Sequence, residues 1–135
     1  MAGFLPDEGE NLIAKLLFKL VVTDRDATLE LGLFTNTTVT EAITEATITE
    51  PTGGSYARKT LTDASWTVTG SVASYAALTF TAASTAYSAP VYGYFISTVS
   101  AGGTQRLIAV EVDNSGPYTM AANDTYTITP SVTIA

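Results

Sequence analysis

The apolar positions of this chain follow two different periods. Near the start, Leu12, Ile13, Leu16, Leu17 and Leu20 recur at the spacing of one helix face. Pro6 fixes φ ahead of Asp7, a capping residue type, and Glu8 and Glu10 fall where the helix dipole favours negative charge. With Lys15 and Lys19 toward the far end, the pattern predicts a helix over 8–20, in which Gly9 costs about 1 kcal/mol relative to Ala. From residue 28 onward the period is two. Leu29, Leu31 and Leu33 alternate with Thr28, Glu30, Gly32 and Phe34, which predicts a half-buried strand over 28–35. The stretch 91–112 predicts a hairpin that turns through Ser100-Ala101-Gly102-Gly103-Thr104. On its first strand Tyr92, Tyr94 and Ile96 share one face while Val91, Phe95 and Val99 share the other. On the return strand Ile108, Val110 and Val112 alternate with Ala109 and Glu111. A strand apolar on both faces belongs in the middle of a sheet.

The remaining segments are shorter and more polar. A turn is expected over 23–27. Residues 41–50, EAITEATITE, read as a charged, extended edge segment, and Pro51-Thr52-Gly53-Gly54 breaks the chain. Short strands are expected over 56–61, 65–72 and 75–82, with Trp66 and Val68 on one face and Leu78 and Phe80 on another. Two more are expected over 125–130 and 131–135, with Tyr126 paired to Ile128 and Val132 to Ile134 by face. Eight or nine short strands with turn signals every eight to twelve residues describe an all-β antiparallel sandwich, jelly-roll or immunoglobulin-like, with one N-terminal helix. The division is an amphipathic helical segment over 1–22 and a β-sandwich over 23–135.

Composition sharpens this picture. Hydrophobic residues make up 46% of the 135 residues and charged ones only 14%, so the exposed surface must be rich in hydroxyls. Roughly one residue in six is threonine, β-branched for strands and polar enough for water. A net charge of −7 with only six basic residues argues against nucleic acid or anionic lipid as a partner. Residues 13–22 are apolar but short, carry two lysines and follow an acidic start, so neither a signal peptide nor a membrane span is expected.

The chemistry available is narrow. Histidine and cysteine are absent, which removes the commonest general base, the usual zinc ligands and the strongest nucleophile. No metal site, cofactor or catalytic residue is expected, and the chain reads as a non-enzyme. A carboxylate-pair glycosidase would need two acids held across a cleft, and no motif marks such a pair. Arg58, Lys59 and Arg106 are the candidates for meeting an acidic partner surface. Leu12, Leu16, Tyr92 and Tyr94 are the candidates for oligomer or partner packing.

Taken in order, FLPDEGENLIAKLL, LGLFTN, EPTGGSYARKTL, YGYFIS, GGTQRLIAVEV and GPYTMAANDTYTITPSVTIA resemble segments of small all-β virion proteins of tailed bacteriophages. That resemblance covers nearly the whole chain. It implies a structural protein without catalytic residues, in the first place a capsid decoration or cement protein that forms dimers or trimers and clamps the major capsid protein or another virion protein. Its expected location is the virion, assembled in the host cytoplasm. The alternative it leaves open is a tail-associated or receptor-binding β-module, distinguished by an exposed aromatic groove.

Overall fold

A computed structural model describes residues 4–14, 28–99 and 104–134. The second half of the expected helix, with Leu16, the turn expected over 23–27 and residues 100–103 of the hairpin turn lie outside the described residues. Among the described residues, helix α1 (Asp7–Ala14) is followed by nine strands. These are β1 (Thr28–Phe34), β2 (Lys59–Thr62), β3 (Thr67–Thr69), β4 (Val72–Ser74), β5 (Leu78–Thr81), β6 (Gly93–Thr98), β7 (Leu107–Val112), β8 (Thr125–Ile128) and β9 (Ser131–Thr133). They form an antiparallel sandwich: a four-stranded sheet in the order β2-β1-β6-β7, a three-stranded sheet β3-β4-β9 and the pair β5-β8. The all-β sandwich with one N-terminal helix is the architecture expected from the sequence.

The four-stranded sheet is covered on both sides, so its central strands carry apolar residues at successive positions. On one side Leu31, Leu33, Tyr94 and Ile96 pack against Phe80 and Ile128 of the β5-β8 pair. On the other, Phe34, Phe95, Leu107 and Val110 pack beneath Ile43 and Ile48. Strand β6 is buried along its entire length, as its two-sided apolar pattern requires. Strand β1 departs from the half-buried expectation: Leu31 to Phe34 are all buried, because Gly32 makes room for the Phe95 ring directly across the pair.

Three further expectations are corrected. Residues 41–50 form turns and no strand; Ile43 and Ile48 act as two pegs, while Thr35 N–H donates to the Thr49 carbonyl and anchors the segment to the end of β1. The stretch 65–72 is not one strand. A 3₁₀ turn (Asp63–Ser65) precedes β3, and Gly70, at φ +61°, starts the tight turn that pairs Thr69 with Val72. Tyr92 does not share a face with Tyr94 and Ile96. Alternation begins only at Gly93, so Tyr92 packs on the Phe95 side while Val91, bridged to Tyr118, joins Tyr94 and Ile96.

A second break in alternation positions the helix. The β6-β7 register places Ile96 opposite Ala109 and Ser97 opposite Leu107, leaving Ile108 as the extra residue of a β-bulge. Leu107 thereby turns toward Phe95, and Ile108 turns toward the opposite core. Helix α1 docks against this bulge: a Cβ on Gly9 would stand 2.5 Å from the Ile108 carbonyl oxygen. The glycine that weakens the isolated helix is what allows it to approach the sheet.

Candidate functional site

The docked helix, the bulge and the small sheet enclose an apolar groove of about 460 Å³. Leu12 and Ile13 of α1 form one wall, Ile96 and Ile108 part of the floor, and Trp66 and Val132 line the opposite side. The faces that the sequence assigns jointly to Trp66 and Val68, and to Val132 and Ile134, are walls of this groove. At its lip Val68 is 69% exposed and Ile134 52% exposed. Both are large aliphatic side chains held beside the concavity rather than inside it. Among the described lining residues the single carboxylate is Asp63. Trp66 rests edge-on against Tyr75, ring centroids 5.3 Å apart, and its buried indole N–H meets no acceptor among the described residues.

A charged cluster lies over the other face of the large sheet. Arg58 donates through Nε and Nη2 to Glu50, with Nη2 2.6 Å from Oε1; it also reaches Glu45 Oε1 at 2.6 Å, Glu30 Oε2 at 3.3 Å and Ser97 Oγ at 3.0 Å. Its guanidinium carbon sits 4.9 Å from the Phe95 ring centroid. Burial would lower the Arg58 pKa, but the hydrogen bonds it donates to Glu50 and Glu45, with their negative charges, together outweigh burial and raise it above its ordinary value. Glu45 moves the other way from most paired acids: burial raises its pKa despite Arg58. Tyr56 donates to Glu50 Oε2 at 2.6 Å and accepts the Leu33 N–H at 2.8 Å, completing the β1 ladder where β2 has diverged. Glu8 links three elements, with one oxygen accepting from the backbone N–H of Glu45 and of Leu107 and the other 3.5 Å from Arg106.

These positions redefine the sequence candidates. Arg58 and Lys59 are neighbours on an extended segment and point to opposite faces: Arg58 toward Phe95, Lys59 with Nζ 5.1 Å from the Phe80 ring centroid. They form no joint basic patch. Arg106 pairs with Glu8. Leu12 is buried at 4% exposure and lines the groove; Leu16 lies outside the described residues. Tyr92 is half-buried against the second core. Tyr94 is buried inside the fold, its hydroxyl donating to Glu111 Oε2 at 2.6 Å, which leaves it no face for a partner. Val68, Ile108 and Ile134 were absent from the sequence candidates, and the joint face assignments were the signal that pointed to Val68 and Ile134.

A second concavity, about 570 Å³, opens beside β8 and is lined by Asp113, Tyr118, Asn123, Asp124, Tyr126 and neighbouring threonines. Among the described residues no group of three or more His, Cys, Asp or Glu is arranged to hold a metal ion, and no helix is long and apolar enough to cross a membrane. Compared with models of protein families, with curated proteins and with solved structures, the chain matches none.

Proposed function

We propose that this chain is a bacteriophage virion structural protein, and most directly a capsid decoration or cement protein that binds and stabilises the assembled major-capsid lattice. The observation that carries the reading is the apolar groove, with Val68 and Ile134 exposed at its lip. A partner surface that fills it gains about 25 cal/mol for each Å² of apolar area withdrawn from water. The chain has only six basic residues and neither histidine nor cysteine, which suits a binding role without covalent chemistry. The resemblance of its ordered segments to small phage virion proteins supports the same assignment.

In this reading the protein acts by mass action: it binds the assembled lattice in preference to free capsid subunits and so stabilises the shell. A dimer or trimer would present several grooves at once and multiply a modest contact into a firm one. The tail-associated or receptor-binding alternative is favoured by one observation, the half-exposed pair Tyr118 and Tyr126 beside β8. Co-sedimentation of the purified protein with assembled shells and with free major-capsid subunits separates the two. Retention on shells alone is expected; no retention on shells removes the decoration reading.

A further inference from the structure

The concavity beside β8 is built unlike the apolar groove, and we infer that it is a binding site for a neutral saccharide. Its centre is an aromatic pair. Tyr118 and Tyr126 have ring centroids 5.0 Å apart with planes tilted by 40°, and both side chains are half-buried, so each ring is partly open to the cavity. Both are held in place. The Tyr118 backbone exchanges two hydrogen bonds with Val91, at 2.8 and 2.9 Å, and the Tyr126 hydroxyl donates to Asp113 Oδ2 at 2.7 Å. Burial and that bond to Asp113 push the Tyr126 pKa far above its ordinary value, so the hydroxyl stays protonated and remains a donor.

The polar groups around the rings are fixed as well. Asp113 Oδ1 accepts from the Ser115 N–H, and Asp124 Oδ2 accepts from the Ala121 N–H, both at 2.9 Å. Asn123 holds φ at +70°, and its N–H donates to the carbonyls of Ala82 and Ala83, so its exposed side chain projects from a pinned backbone. Thr119, Thr125 and Thr127 add exposed hydroxyls to the lining. A ligand meeting these groups loses little entropy to ordering them.

The lining also selects by charge. Among the described residues it contains two carboxylates and no lysine or arginine, which disfavours phosphate, sulfate and acidic sugars. It offers few apolar walls beyond the tyrosine rings and Met120, which disfavours a lipid or an apolar peptide. An uncharged polyhydroxylated ring satisfies both conditions: its C–H face can cover a tyrosine, and its hydroxyls can donate to Asp113 and Asp124 and exchange bonds with Asn123 and the threonines. A volume of about 570 Å³ is in the range of small-molecule sites. This concavity shares no lining residue with the apolar groove.

The test is a titration of the ¹⁵N-labelled full chain with glucose-, galactose-, mannose- and N-acetylglucosamine-terminated oligosaccharides. Concentrations up to about 10 mM suffice to detect a Kd of the order of millimolar. Amide shifts clustered at Asp113, Tyr118 and Asn123 to Thr127 are expected with at least one of them, and a sialylated counterpart should bind more weakly. Tyr118→Ala should weaken binding about tenfold, the effect of losing one aromatic contact. Asn123→Gly, which keeps the positive φ and deletes the amide, should weaken it with the fold intact, and it decides the matter if the tyrosine variant does not fold. Absence of clustered shifts with every neutral sugar, equal binding of the sialylated one, or affinity unchanged by Asn123→Gly would each overturn the assignment.

Discussion

Glu45 Oε1 stands 2.6 Å from Arg58 Nη2, while Oε2 of the same carboxylate is buried with no hydrogen-bond partner among the described residues. Half of this acid is paired and half is stranded, and burial outweighs the pairing in setting its pKa above the ordinary 4.5. The groups around it are Arg58, Glu50 and Glu8, with Glu30 reached through Arg58. Because the folded pKa lies above the unfolded one, the folded protein binds this proton more tightly. The stability that protonation contributes is present below pH 4.5 and is lost as pH rises through the raised value. Glu45→Gln cannot titrate, so its stability relative to wild type should improve between pH 4.5 and pH 7, as read from urea midpoints at the two values. A constant difference between the two proteins would show that Glu45 is not strained by burial.

Arg58 pairs with Glu30, Glu45 and Glu50 at once. Its side chain is 19% exposed, so removing it strands partly desolvated carboxylates. Arg58→Ala is expected to cost about 2–3 kcal/mol, below the range for a fully buried pair because water reaches part of the cluster. Arg58→Lys should recover less than half of that, since an ammonium cannot meet Glu50 through two nitrogens while facing Glu45 and Glu30. Chemical denaturation of the two variants measures both effects.

Gly9→Ala separates local propensity from packing. In an isolated helix the change is worth about 1 kcal/mol in favour of alanine. Here the added methyl would press on the Ile108 carbonyl, and backbone at a bulge yields poorly, so overpacking of about 1–3 kcal/mol should dominate. Net destabilisation is expected in urea unfolding; a more stable variant would mean that α1 does not dock on the bulge as described.

The groove can be tested apart from stability. Val68→Asp and Ile134→Asp alter exposed side chains, so each should change stability by no more than about 0.5 kcal/mol. Both place a carboxylate where the proposed contact is apolar, and both should reduce co-sedimentation with assembled shells at least tenfold. Undiminished binding by the double variant would move the docking surface elsewhere on the protein.

Much of the fold was legible because period-two alternation reports directly on burial. The two-sided pattern of Tyr94, Phe95 and Ile96 placed β6 mid-sheet, and the face pairs Trp66 with Val68 and Val132 with Ile134 line the groove, although alternation by itself predicts no groove there. Alternation failed where the backbone left the strand geometry that makes it valid. The irregular step before Gly93 reversed Tyr92, and the bulge moved Ile108 off the face that alternation assigns it with Val110 and Val112. Threonine misled in 41–50: a β-branched run next to glutamates reads as an edge strand, yet Ile43 and Ile48 are spaced to peg a turn onto the sheet. The charged cluster and the tyrosine cleft were illegible for a different reason. Arg58 gathers partners from 28 residues upstream to 39 downstream, and Asp113 meets Tyr126 across two turns. Such contacts exist only once the chain is folded.

Cryo-electron microscopy of intact particles from the source, with antibody labelling to locate this chain, bears most directly on the decoration assignment. Regular density at lattice symmetry positions, with the Trp66 and Val68 face against the shell, is the predicted result. Label confined to the tail, or absent from the particle, would contradict it.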